Sequence, residues 1–258
     1  GDTSTIPLGL GGFASRQTVT AGSSVHLAAK AVREKILRVA SHMLEASVED
    51  LELSDGRVHI RGIPGHGVTI QQVADLLGGS PGYAIPGGFE PGLESAQNFM
   101  PDALTYGMGC HAVEVEVDPD TGGVRILRYV VVNDSGRIIN PMIVEGQIVG
   151  GVVHGIGNAL YEWMGYDDQA QPITTTLAEY LMPTATEVPD VEVRFLEFPS
   201  PLNPLGVKGV GEAGCVPAAA AVVSAIEDAL APWNVTIEEA PVSPARLFAL
   251  MRASRKTA

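Results

Sequence analysis

The sequence predicts an α+β chain, mixed sheets with packed helices, and three patterns carry that expectation. Residues 111–118 alternate, with Val113, Val115 and Val117 on one face and Glu114 and Glu116 on the other, the period-2 signature of a half-buried strand. From Val25 the apolar positions step by three and four instead, through Ala29, Val32, Ile36, Ala40 and Met43, which makes a helical stripe. Pro141 stands where the first residue of a long helix belongs, running to about Trp163. At 258 residues the chain is one large domain, 1–258, or two lobes, 1–105 and 106–258.

The remaining elements follow in order. Gly9 to Arg16 is a loop of small residues ahead of the first helix. Leu51 to Leu53 and Arg57 to Ile60 form a strand pair with its turn at Ser54-Asp55-Gly56. Thr69 and Gln72 have the spacing of a capping box, which starts a short helix through Leu77. Residues 78–105 carry many Pro and Gly without a period, and a loop of that length in a compact domain is often functional. The strand at 111–118 turns at Asp118 to Gly123 and returns as a more buried strand, Val124 to Val132, making a hairpin. A third strand, Val191 to Phe198, precedes a Pro-rich loop. Helices follow at Val216 to Leu230 and, with Ser243 as cap and Pro244 in the first turn, at Ala245 to Arg252.

Composition excludes several classes of function. Lys and Arg total 16 against 30 Asp and Glu, a net charge of −14 that repels phosphate backbones and anionic headgroups, so neither nucleic acid nor membrane is an expected partner. No apolar run reaches the length of a membrane span. Two cysteines, Cys110 and Cys215, are too few for a disulfide scaffold, a four-cysteine zinc site or an iron-sulfur cluster. His42 has Glu45 three positions on, but no second histidine joins that helical face, and Glu114 points away from His111 on its strand, so no protein-ligated metal is expected. Gly1 is followed by no export signal, and the cytoplasm is the expected compartment.

Two stretches carry the chemistry. The helix from Pro141 holds Gly146, Gly150, Gly151, Gly155 and Gly157, each costing about 1 kcal/mol against Ala in a helix interior. Either close packing through small residues offsets that cost, or a ligand lies against the bare face. Asn203 to Cys215 is a glycine-rich loop entering a helix, with a single lysine, Lys208, and a single glutamate, Glu212. It departs from a Walker A loop because Gly209 follows Lys208. Glu212 in small and apolar company would be partly desolvated, which tunes a carboxyl toward general-base work. Two plainer roles stand beside that one: a cap for the following helix, or an ion-pair partner of Lys208.

Five segments occur in an order that resembles one family: Gly1 to Thr3, Gly12 to Arg16, Val115 to Gly122, Gly146 to Gly157 and Pro201 to Gly214. The chain is similar, over nearly its whole length, to the C-terminal half of the molybdopterin-binding large subunit of molybdenum hydroxylases. That is the xanthine dehydrogenase family, with its aerobic carbon monoxide dehydrogenase branch the nearest. The resemblance implies the second molybdopterin-binding domain of that type, an oxidoreductase acting on a small substrate with water as oxygen source. It implies molybdenum held through a pterin, as molybdopterin cytosine dinucleotide, with iron-sulfur clusters and FAD on partner chains.

By position, Phe13, Ala14, Ser15 and Gln17 match the loop touching the cofactor, and Gln147 matches the helix glutamine beside it. Lys208, Gly209, Val210 and Gly211 match the backbone that lines the cofactor, and Glu212 matches the catalytic glutamate. Asp134-Ser135-Gly136 departs from the family's common Asp-Cys-Gly. The implied partners are the N-terminal half of the large subunit, an iron-sulfur subunit and a flavin subunit. Two other functions compete: a cofactor-free scaffold module of the same fold, and, from the glycine loops alone, a nucleotide-binding domain.

Overall fold

The computed structural model describes residues 2–4, 9, 11–79 and 85–254; Gly1 of the first motif, Leu10 of the opening loop and residues 80–84 of the long loop lie outside them. The chain divides into two compact units, Thr20–Met100 and Gly1–Val19 with Pro101–Ala258. The opening loop therefore groups with the chain beyond residue 100.

In the Thr20–Met100 unit, helix α1 (Ser23–Leu44) is followed by strands β1 (Leu51–Ser54), β2 (Arg57–Ile60) and β3 (Ile63–Thr69) and by helix α2 (Ile70–Gly78). The β1–β2 turn places Asp55 and Gly56 at φ 47° and 73°, the left-handed pair that a tight antiparallel hairpin demands. The capping box forms: Gln72 N–H donates to Thr69 Oγ1 at 3.1 Å, and Thr69 N–H donates to Gln72 Oε1 at 2.8 Å. Strand β3, which includes Pro64, Gly65 and Gly67, is an element that the sequence patterns do not assign. It is an edge strand of the order β1-β2-β3, where such residues are tolerated.

The apolar stripe of α1 is buried only in its second half. Ile36, Leu37, Val39 and Ala40 join Val58, Val73 and Leu77 in the core, whereas Val25 and Ala29 are exposed. A 22-residue helix is about 33 Å long at 1.5 Å per residue, and strands of four to seven residues do not reach along it. Part of the long loop has a structural use, since Ile85, Phe89 and Leu93 pack against this same cluster.

The second unit is built on β4 (Met108–Val117), β5 (Val124–Asp134), α3 (Pro141–Leu160), β6 (Val191–Leu196), α4 (Ala218–Ala229) and α5 (Pro244–Ser254). β4 and β5 form the expected antiparallel hairpin, in register from Val117↔Val124 to Met108↔Asp134 with one irregularity at Glu114/Val115. β6 runs parallel to β5, with α3 as the crossover that a parallel pair requires. Val113, Val115 and Val117 face the core as their alternation predicts, against a cluster that includes Tyr129, Ile148, Val152, Ile156 and Val222. Ser243 caps α5, its hydroxyl accepting from Arg246 N–H at 3.3 Å.

Candidate functional site

The C-terminal end of β5 anchors the glycine-rich loop. Asp134 is buried there; its Oδ1 accepts from Gly136 N–H at 2.9 Å and Phe198 N–H at 3.1 Å, and its Oδ2 takes the ammonium of Lys208. Burial opposes ionisation of Asp134, but the Lys208 hydrogen bond, the two amides and the Lys208 charge together hold its carboxyl below the usual range. Lys208 N–H donates to Ser135 O at 2.8 Å, and Gly136 and Val207 form an isolated antiparallel bridge. Asn203 clasps Val207 from the other side, its side chain bonding both the N–H at 3.0 Å and the carbonyl at 2.8 Å. The partner of Lys208 is therefore Asp134 and not Glu212. An acid just beyond the apolar run Val130–Val132, together with the only cation of the glycine loop, was the available signal for this pair.

Beyond Lys208 the loop runs against the opening segment. A Cβ on Gly209 would lie 2.7 Å from Ser15 Cβ, and one on Gly211 would lie 3.2 Å from Ser15 Oγ, so both positions are cleared of side chain where Ser15 sits. Ser15 Oγ donates to Glu212 Oε2 at 2.6 Å and accepts from Glu212 N–H at 3.1 Å. Val210, between the glycines, is half-buried and packs against the core.

Two expectations for Glu212 are corrected. The residue is exposed, so the partial desolvation expected from its small and apolar neighbours is absent in this chain. It is also no helix cap: α4 starts at Ala218, later than the predicted Val216, and has no side-chain cap. Its carbonyl instead accepts from Cys215 and Val216 in the turn that precedes α4.

Helix α3 supplies the third side of the site and resolves its five glycines into two groups. Gly151 and Gly155 pack. A Cβ on Gly151 would lie 2.7 Å from Cys215 N, and one on Gly155 would collide with Ala218 Cβ. Gly157 is filled by the side chains of Glu162 and Pro183. Gly146 and Gly150 meet nothing within 4 Å; between them in sequence stands Gln147, whose Oε1 lies 3.7 Å from the Cβ position of Gly211. Ser15, Gly209, Gly211, Glu212 and Gln147 are thus brought together. Phe13, Ala14 and Gln17 lie exposed on the opening loop, with Gln17 folded back over Gly12.

Beneath the Glu212 turn lies a histidine that sequence spacing did not single out. His111 on β4 bonds Tyr129 Oη through Nδ1 at 2.9 Å, and its buried Nε2 has no hydrogen-bond partner. Burial pushes the ring below its usual range, with the Ala213 backbone acting the other way. Burial likewise pushes the Tyr129 phenol well above its usual value. Among the described residues no group of three or more His, Cys, Asp or Glu could hold a metal, and no helix is long and apolar enough to cross a membrane.

A family model described as a molybdopterin cofactor-binding domain matches residues 1–189. The chain is 43% identical over 256 residues to the 6-hydroxypseudooxynicotine dehydrogenase complex subunit gamma of Paenarthrobacter nicotinovorans, covering 99% of this chain and 32% of that one. Reconstituted CO dehydrogenase from Oligotropha carboxidovorans superposes with a TM-score of 0.87 at 34% identity, covering 100% of this chain and 32% of that one. Quinoline 2-oxidoreductase from Pseudomonas putida 86 gives 0.83 at 43% identity, over 95% of this chain and 31% of the other. The chain spans about a third of the length of the relatives it matches.

Proposed function

The chain belongs to the molybdopterin cofactor-binding domain family, and from that premise we propose that it forms one wall of the active site of a molybdenum hydroxylase that oxidises a small substrate with water as oxygen source. The observation that carries this reading is the convergence of Ser15, the Gly209–Gly211 backbone, Gln147 and Glu212 from three separate parts of the sequence. The cofactor fits what is there. Gly146 and Gly150 offer a bare helix face beside Gln147, and Glu212 offers an exposed carboxylate at its edge.

When bound, molybdopterin cytosine dinucleotide with its molybdenum supplies the two-electron redox centre. Phe13, Ala14, Ser15, Gln17 and Gln147 hold it, together with the backbone of Lys208, Gly209, Val210 and Gly211. The Lys208–Asp134 pair contributes by anchoring that backbone to the end of β5, so the loop does not have to be ordered when the ligand arrives. Glu212 acts as general base: its Oε2 is held by Ser15, and its Oε1, which has no hydrogen-bond partner among the described residues, takes the proton. Electrons leave through iron-sulfur clusters and FAD on partner chains. The rest of the large subunit completes the cleft and selects the substrate, and the assembled enzyme works in the cytoplasm.

Glu212→Gln tests the reading in the assembled enzyme. The amide keeps the shape and the Ser15 contact, so molybdenum content and melting stay at wild-type levels while turnover falls by about 10² to 10⁴. A near-wild-type rate with full molybdenum would remove Glu212 from the chemistry. An assembled complex without molybdenum would favour the scaffold alternative.

A further inference from the structure

Ser15 has two bonds to one residue. Its hydroxyl carries a single proton, and the Glu212 amide cannot accept, so the roles are forced: the proton goes to Oε2 at 2.6 Å and a lone pair takes the N–H at 3.1 Å. The two bonds close a ring through the Glu212 side chain and its own main chain, which restricts every rotatable bond between carboxylate and backbone. An exposed carboxylate has no need of such a partner, since water serves it equally well.

The surroundings are shaped to put that hydroxyl there. Ala14 and Ser15 stand consecutively in the left-handed region at φ 55° and 54°, which is unfavourable for residues other than glycine. Gly209 and Gly211 lack side chains at the positions that Ser15 occupies. Two strained residues and two cleared ones converge on one oxygen. Strain of that kind persists only where the surrounding structure over-determines it, and here it surrounds the proposed base.

We infer that Ser15 is a positioning residue for Glu212: it ties one carboxylate oxygen and the amide so that Oε1 alone is presented for proton transfer. The inference rests on the reading of Glu212 as the base and adds to Ser15 a task separate from holding the cofactor. In the chain itself, Ser15 should hold Glu212 with no cofactor bound, because both bonds form within the protein.

Two measurements test it. The first is amide exchange at Glu212 in the chain alone, comparing wild type with Ser15→Ala and with Ser15→Gly, the second of which also relieves the left-handed backbone. In both variants the Glu212 amide should exchange at least about tenfold faster, while Val207 and Lys208, held by Asn203 and Ser135, keep their protection. Unchanged exchange at Glu212 overturns the proposal, and equal loss of protection at all three amides does so too, because the loop as a whole would then have loosened.

The second is a double-mutant cycle in the assembled enzyme. Ser15→Ala should lower kcat per bound molybdenum on the order of tenfold with KM unchanged, and should cost nothing further on that measure when Glu212→Gln is already present. Multiplicative losses in kcat per bound molybdenum overturn the positioning role and leave a cofactor contact alone. Failure of the base reading looks different, because Glu212→Gln by itself would then keep its rate.

Discussion

The two groups of glycines in α3 should respond to alanine with opposite signs. At Gly150 a Cβ meets nothing within 4 Å, so Gly150→Ala gains only helix propensity, about 1 kcal/mol. At Gly155 a Cβ lands on Ala218 Cβ and 3.1 Å from Ala219 N, and Ala218 is fully buried at the start of α4. These atoms have no rotamer by which to yield, so the helices must separate, and overpacking of this kind costs about 1–3 kcal/mol before the same propensity gain is credited. Gly150→Ala and Gly155→Ala should therefore differ by about 1–3 kcal/mol, or roughly 2–12 °C in Tm at about 2–4 °C per kcal/mol for a unit of this size. Denaturant unfolding followed by tryptophan fluorescence is the assay, because the only two tryptophans, Trp163 and Trp233, both belong to the Gly1–Val19 and Pro101–Ala258 unit. If Gly155→Ala proved as stable as Gly150→Ala, the assignment of Gly155 to helix packing would be wrong.

Other perturbations separate anchoring from chemistry. Gly150→Leu in the assembled enzyme should lower molybdenum content while the melting temperature of the chain holds, since the added side chain fills open space on the proposed ligand face. Lys208→Met leaves Asp134 charged and buried without its cation, which should cost about 3–5 kcal/mol in chemical denaturation. The Asp134 carboxyl lies below its ordinary 3.8 in the fold, so its contribution is complete above that pH and is lost as pH falls below it; Asp134→Asn should flatten the acid limb of a stability titration. His111 also lies below its ordinary 6.5, so the fold favours the neutral ring, with a contribution present above pH 6.5 and lost as pH falls through the lower folded value. His111→Phe should remove that slope, and an unchanged slope would assign it to another group.

Short-range physics made much of this chain legible in one dimension. The β4–β5 hairpin follows from alternation of Val113, Val115 and Val117, the Asp55-Gly56 turn from the left-handed φ that those residues accept, and the start of α2 from Thr69 and Gln72 three positions apart. The five ordered motifs likewise carry the resemblance to the family that the family model and the relatives show. The hairpin, turn and helix-start signals are each complete within a dozen residues, because they depend on side-chain period or on a neighbour one turn away, whereas the family resemblance rests on the order of motifs along the chain.

What the sequence could not decide was which distant residue meets which. Nothing local says that β6 pairs parallel with β5, that Pro64 and Gly65 lie in a tolerated edge strand, or that Gly151 and Gly155 are packed while Gly146 and Gly150 stand open. The tertiary structure alone gave Lys208 a partner 74 residues away and moved Glu212 from helix cap to an exposed carboxylate held by a serine 197 residues earlier. These contacts are made by whichever groups the folded backbone brings within about 3 Å, and a one-dimensional pattern carries no record of that distance.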